Sequence, residues 1–233
     1  WPPATTPTPS CAGFAVTVES QAGAKALIGD EAFAKAGATV VPDAATGYAG
    51  ADLVLKFHPP TLDEVGMYKQ GTLLISFVWP ARNLDLVKAL RAKGVTALAM
   101  DAMPRITRAQ KMDALSSQAN MAGYKAVIMA ADHLPKIIPM MTTPSGTIKP
   151  AHFVILGAGV AGLQAIATAK RLGAVVEVSD VRPAVKEQVQ SLGGKYIEVP
   201  VEEGEEPGET KDGYAQEQSE AFLARQRELV QER

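Results

Sequence analysis

The run HFVILGAGVAGLQAIATAKRLGAVVEVSD, residues 152–180, decides the fold. It opens on an apolar β-like stretch, His152-Phe153-Val154-Ile155-Leu156, and passes directly into Gly157-Ala158-Gly159-Val160-Ala161-Gly162. Residues 163–172 then repeat at helical period, and residues 174–178 form a second β-like stretch ending at Ser179-Asp180. A bare G-x-G-x-x-G is weak evidence. Here it follows a strand, opens a helix and precedes a carboxylate at about the expected 20-residue spacing, the context of a Rossmann-type dinucleotide-binding turn.

Each residue type has a task in that turn. Gly157 permits the tight strand-to-helix reversal, Gly159 lets backbone approach a pyrophosphate, and Gly162 lets the helix pack against the sheet. The free N–H groups and the positive helix end then face the phosphates. Asp180, at the tip of the second strand, is expected to accept hydrogen bonds from the adenosine ribose hydroxyls. Its charge repels a 2′-phosphate and so favours NAD over NADP, whereas Arg182 argues weakly the other way. Val160 inside the turn and Val181 beside the carboxylate complete the expected cofactor-binding set on this side. Two other readings compete. Residues 153–169 carry no charge and could pass for a membrane span, but three glycines at turn spacing and Gln164 oppose that. The turn could also be a glycine loop that binds nothing.

The 233 residues suffice for one large or two modest domains. Hydrophobic content of 47% and charged content of 21% are those of an ordinary globular protein. A formal charge of −2 offers no electrostatic reason to expect nucleic acid or an anionic membrane as partner. Cys11 is the only cysteine, which excludes an internal disulfide or a thiolate metal cluster and fits a reducing compartment. His58, His133 and His152 form no ligand motif, so no metal is expected. No signal peptide is recognisable at the proline-rich start.

Residues 1–13 carry Pro2, Pro3, Pro7 and Pro9 and are expected to be disordered. Residues 14–112 are expected to form an N-terminal α/β domain. Strands are read at 14–18, 39–41, 52–57, 73–78 and 95–100, and helices at 31–36 (capped by Asp30) and 84–93. A further helix opens at Thr61-Leu62-Asp63-Glu64, which has capping-box spacing. Alternation at this pace implies parallel strands joined by crossovers. Residues 103–110 read as a polar loop. A linking helix is expected over 113–136, with Ala119, Ala122, Gly123, Ala126 and Ala130 on one small-residue face, and residues 140–149 read as a turn region.

Residues 137–233 are expected to hold a partial Rossmann domain. Beyond Asp180 come a helix at 183–192, a strand at 195–199, an acidic mobile loop at 201–213 and a charged helix at 215–233. A dinucleotide fold has two βαβαβ halves. Only the half that holds adenosine and pyrophosphate is read here, so the sequence is expected to be a piece of something longer. The fold class is thus α/β, with two parallel-sheet domains.

A second stretch, PRITRAQKMDALSSQ at residues 104–118, closely resembles the signature of the NAD(H)-binding component of proton-translocating nicotinamide nucleotide transhydrogenase. Residues 157–180 and 186–194 are similar to the same family, and the likeness covers residues 14–233. The family's arginine, glutamine and aspartate at the nicotinamide end fall on Arg105, Gln110 and Asp113, and its carboxamide serine on Ser116. The chemistry suits: a carboxamide offers one acceptor and two donors, which these groups can satisfy. Asp113 could simply cap the long helix, which would not exclude ligand contact, Arg105 could be a solvated loop charge, and Tyr214 an ordinary surface aromatic. The resemblance makes Asp180 the ribose carboxylate and Tyr214 the tyrosine of a loop that closes over nucleotide. It also places Gly213 and Gln226 near the cofactor. The family's first strand, with its double-arginine motif, is replaced by the proline-rich start.

The resemblance implies NAD(H) as cofactor and hydride transfer to NADP⁺ on a partner domain. It assigns no catalytic side chain, since transfer between two nicotinamides needs positioning alone. It further implies a homodimer, an NADP(H)-binding partner domain and a membrane domain. The chain itself would then be cytoplasmic and peripheral on the inner face of the bacterial inner membrane. The sister family, alanine dehydrogenase, needs an acid/base pair because it moves a proton with the hydride. Its lysine and histidine positions fall on His58 and Trp79 here; shifting by two residues recovers Lys56 but no histidine. An alanine-dehydrogenase-like oxidoreductase and an inactive nucleotide-binding module are the alternatives.

Overall fold

The computed structural model describes residues 13–104, 106–200, 208, 215–216 and 218–233. The chain divides into two units, Trp1–Asp113 and Ala114–Arg233. Each has its own parallel sheet, as the alternation of apolar runs and helix signals implied.

In the first unit, β1 (Thr17–Glu19) pairs in parallel with β2 (Thr39–Val41). A separate parallel sheet has the order β3 (Leu53–Leu55), β4 (Leu73–Ser76), β5 (Thr96–Ala99). Around them lie α1 (Asp30–Lys35), α2 (Ala44–Ala49), α3 (Leu62–Met67) and α4 (Leu84–Ala92). Val54, Val65, Tyr68, Leu74, Val78, Leu86 and Leu90 form the core. Burying each large side chain is worth about 1.5–3 kcal/mol. The capping box at α3 is present: the Glu64 N–H donates to Thr61 Oγ1, and the Thr61 N–H donates to Glu64 Oε2.

Several expected boundaries shift. The first strand begins at Thr17 rather than at residue 14, the second spans Thr39–Val41 as read, and the three later runs lose their ends, so that Phe57, Phe77 and Val78 lie beyond the strands. Asp30 does not cap α1, for Gly29 holds that position. Its carboxylate instead accepts from Ser20 Oγ (2.7 Å) and the Gln21 N–H (2.8 Å), closing the loop after β1. Helix α2 was not foreseen. Asp43 caps it by accepting from the Thr46 N–H, and Gly47 in its middle hides the helical pattern.

In the second unit, α5 (Ala114–His133) leads to an unforeseen antiparallel hairpin, β6 (Met141–Thr143) with β7 (Gly146–Ile148). Next come β8 (His152–Leu156), α6 (Val160–Arg171), β9 (Val175–Ser179), α7 (Lys186–Ser191) and β10 (Lys195–Tyr196), then α8 (Glu220–Gln231). The sheet is wholly parallel, in the order β10-β9-β8. That is the order of the first half of a doubly wound dinucleotide fold. The apolar stretch read against a membrane span is divided between β8 and α6, and among the described residues no helix is long and apolar enough to cross a membrane.

The small-residue face of α5 has a use within this unit. A Cβ on Gly123 would stand 2.0 Å from the Ala161 carbonyl oxygen, so only glycine lets α5 approach α6 this closely. Val127 of α5 joins Ile166, Ala169, Val176, Val178 and Val189 in the core beneath. The expected acidic loop lies almost wholly outside the described residues, as does the proline-rich start. The closing helix begins at Glu220, with Ser219 as its cap, rather than at residue 215.

Candidate nucleotide site

The glycine turn joins the carboxyl end of β8 to the amino end of α6. Gly157 has φ +92°, a left-handed conformation open to glycine and strained for other residues. Its N–H donates to the Ser179 carbonyl (2.8 Å), which ties the turn to the end of β9. A Cβ on Gly162 would lie 1.8 Å from the Gly157 carbonyl oxygen, so the helix can start here only without a side chain. Gly159 is the N-cap of α6, and unlike at Gly162 a Cβ there would meet nothing within 4 Å. Its open face, next to the unpaired N–H groups of the first turn, suits the close approach of an anion such as a pyrophosphate. Val160, the first residue of α6, is exposed beside it.

Asp180 lies under this turn. Its Oδ2 accepts from the Ala158 N–H (2.6 Å) and from Arg182 Nη2 (2.9 Å). Its Oδ1 accepts from the Arg182 N–H (2.8 Å) and from Arg182 Nε (3.0 Å). The carboxylate is 4% exposed. Burial pushes its pKa up, but the hydrogen bonds from Arg182 and Ala158 and the guanidinium charge outweigh burial and hold it below the ordinary carboxylate value. The residue expected to receive a ribose is therefore engaged by its own neighbour, with Arg182 forked over it as a bidentate partner. A ribose hydroxyl reaching Asp180 has to displace that guanidinium.

Two residues that sequence reasoning passed over complete this corner. Tyr196 of β10 donates its hydroxyl to the Asp180 carbonyl (2.5 Å), fixing the backbone after β9. Burial, then the charges of Asp180 and Glu198, raise its pKa above the usual phenol value despite the opposing charge of Arg182. Ser179, buried, receives the side-chain amide of Gln226 from α8 (2.9 Å). Gln226 thus reaches the end of β9 itself. The only sequence signal for Tyr196 was its place on the strand next to β9. Val181 is tucked against Gly208, where a Cβ would stand 2.1 Å from the Val181 carbonyl oxygen.

Gly157, Gly159, Val160, Gly162, Asp180, Val181, Arg182 and Gln226 therefore gather at the carboxyl ends of β8 and β9, where open α/β sheets bind ligands. The chemistry of these groups suits a dinucleotide's phosphates and adenosine. Gln110 and Asp113 belong to the first unit: Gln110 lies in a 3₁₀ helix, Thr107–Met112, and Asp113 is its C-cap. Ser116 lies in the first turn of α5. Arg105, Gly213 and Tyr214 lie outside the described residues. Among the described residues no cluster of His, Cys, Asp or Glu could hold a metal ion.

In the first unit, Lys56 pairs with Glu64, which also accepts from the Tyr48 hydroxyl (3.1 Å). His58 is exposed and meets the Phe57 ring edge-on. Trp79 stands just past the end of β4, where the alanine dehydrogenase histidine was sought.

Comparison with known proteins gives the family. The chain is 50% identical to a polypeptide of the NAD(P) transhydrogenase alpha subunit of Rhodospirillum rubrum, over 94% of this chain and 58% of that protein. A transhydrogenase crystal structure from Sinorhizobium meliloti superposes with TM-score 0.78 at 50% identity, covering 82% of this chain and 57% of that one. An L-alanine dehydrogenase structure gives 0.72 at 28% identity, covering 84% and 56%. The chain thus spans little more than half the length of these proteins. Residues 2–122 match the alanine dehydrogenase/PNT N-terminal domain and residues 126–232 its C-terminal domain, so the chain belongs to the alanine dehydrogenase/PNT family.

Proposed function

We propose that this chain is the NAD(H)-binding part of a proton-translocating NAD(P) transhydrogenase, passing hydride from NADH to NADP⁺ held by a partner domain. The observation that carries the reading is the turn between β8 and α6, with Gly157 in left-handed backbone, Gly162 pressed against the Gly157 carbonyl and Gly159 facing open space. The names of the relatives at 50% identity support the transhydrogenase branch of the family.

In this reading the N–H groups at the start of α6 hold the pyrophosphate. Asp180 takes the adenosine ribose once Arg182 has turned aside, and its negative charge selects NAD(H) against a 2′-phosphate. Arg105, Gln110, Asp113 and Ser116 serve the carboxamide end, and Gly213, Tyr214 and Gln226 border the nucleotide. Bound NADH supplies the hydride. The protein's own contribution is orientation and the exclusion of water, which together are worth about 7–11 kcal/mol when reactants are held in line. Trp79, standing where the sister family has its acid/base histidine, supports this over amino-acid oxidation. The homodimer, the membrane domain and a place on the cytoplasmic face of the inner membrane are part of the same proposal.

The test is a fluorescence titration of NADH with the chain, followed by addition of the NADP(H)-binding domain of a transhydrogenase and assay of hydride transfer. Binding followed by transfer is expected. Turnover of L-alanine with NAD⁺ would move the chain to the dehydrogenase branch, and failure to bind NADH would leave an inactive module.

A further inference from the structure

Trp79 has φ +50°. Left-handed backbone is unfavourable for a bulky residue, and Trp79 also precedes Pro80, which disfavours the helical region for the residue before it. Such conformations persist only where the surroundings over-determine them, and they collect at functional sites. The surroundings here are explicit. The Asp101 carboxylate accepts from the Val78 N–H at Oδ1 (2.6 Å) and from the Trp79 N–H at Oδ2 (3.1 Å). Asn83 Nδ2 donates to the Val78 carbonyl (2.8 Å), and the N–H groups of Arg82 and Asn83 both donate to the Trp79 carbonyl (2.9 and 3.1 Å). The indole stacks on Phe77 (5.8 Å, 15°), which meets Phe57 (5.1 Å).

Position gives this arrangement its meaning. β4 is the central strand of its sheet, and Trp79 lies just past its carboxyl end. Asp101 is the middle residue of the short 3₁₀ helix Met100–Ala102 that follows β5. The next residues are the loop that carries Gln110 and Asp113, anchored by the 3₁₀ helix Thr107–Met112 and the buried methyl of Ala109. One side chain therefore joins the root of that loop to the strained turn after β4.

We propose that Asp101 is a positioning residue: it pins the segment that follows β5 to the Trp79 turn, and so sets where Gln110 and Asp113 stand. The inference rests on the functional reading above, in which those two residues serve the carboxamide end of NADH. Removing the carboxylate releases two N–H groups and the left-handed turn together, and the loop loses its fixed root.

Trp1 and Trp79 are the only tryptophans, so Trp1→Phe leaves Trp79 as a single reporter. In that background Asp101→Asn and Asp101→Ala are compared with the parent by three readings. Trypsin cleavage at Arg108 and Lys111 is expected to rise about tenfold in the alanine variant and less in the asparagine variant, which keeps one acceptor. Trp79 emission is expected to shift red, with easier acrylamide quenching. NADH affinity is expected to fall about tenfold while ADP-ribose affinity stays within about twofold, a split that general loss of stability would not produce. Asp101→Ala combined with Trp79→Gly, which relieves the backbone strain, is expected to show less cleavage than Asp101→Ala alone. This second variant also serves if the single one folds poorly. Unchanged cleavage and emission in Asp101→Ala would overturn the proposal, as would equal loss of NADH and ADP-ribose affinity. A parent that binds no NADH, yet shows the cleavage and emission changes, upholds the link between Asp101 and the loop and overturns the functional reading instead.

Discussion

Replacing Arg182 with alanine tests the electrostatics of the nucleotide corner most directly. The guanidinium makes two charge-assisted bonds to Asp180, at 3.0 and 2.9 Å, and the carboxylate is 4% exposed. Removing one partner of a buried pair commonly costs about 3–5 kcal/mol. Here the N–H groups of Ala158 and residue 182 continue to serve the carboxylate, so a cost of about 2–3 kcal/mol at neutral pH is expected. The sign of its pH dependence follows from Asp180. Its carboxyl pKa is held below the ordinary value in the folded chain. The stabilisation is therefore complete above the unfolded value of about 3.9 and is lost as pH falls through the folded value. Urea unfolding of the parent and the variant, repeated from about pH 7 down through the acid range, measures the difference. It should be flat above about pH 5 and shrink below about pH 4. Lysine at 182 should restore less than half of it, because a point charge cannot reproduce the fork. A difference that stays constant into acid would mean that Arg182 acts through its aliphatic packing, and the ion-pair account of Asp180 would fail.

Four other outcomes follow from the geometry of the two units. Gly162→Ala places a Cβ 1.8 Å from the Gly157 carbonyl, so both thermal stability and NADH affinity should fall. Gly159→Ala meets nothing within 4 Å and should change stability by less than about 1 kcal/mol while lowering NADH affinity at least about tenfold. Equal behaviour of the two in melting and titration would refute their separate roles. Gly123→Ala should destabilise the second unit by about 2–3 kcal/mol in denaturant titration, since α5 has to move away from the Ala161 carbonyl. Burial, then the Glu64 charge and hydrogen bond, push the Tyr48 phenol up to about 12. The unfolded phenol ionises near about 10, so stability should decline between about pH 10 and 12. Tyr48→Phe should flatten that decline relative to the parent in alkaline unfolding curves.

What the sequence disclosed, and what it withheld, follows from the range of the interactions concerned. The glycine turn, the Thr61–Glu64 box and the parallel order of the strands rest on contacts within a few residues or on hydrophobic period, and all were legible. The hairpin between Thr143 and Gly146 had its turn chemistry in Pro144-Ser145-Gly146, but flanking strands of three residues gave too little alternation to read. Arg182 reads in sequence as a guanidinium able to hold a 2′-phosphate, yet its partner here lies two residues back, the Asp180 carboxylate buried beneath the turn. Trp79 stands at the far extreme. Nothing in Val78-Trp79-Pro80 asks for left-handed backbone, and the cause is a carboxylate 22 residues away in the chain. The strained turn at the end of β4 and the covered carboxylate at the end of β9 share this character: in both a carboxylate from an adjoining strand or turn fixes backbone N–H groups that no local pattern would place. Such long-range fixing is what a site needs if its geometry is to survive the motion of a loop, because a local propensity worth a few tenths of a kcal/mol cannot hold it. The groups proposed to meet the nucleotide were therefore legible, while the contacts that hold them in place, at Asp180 and at the Trp79 turn, were not.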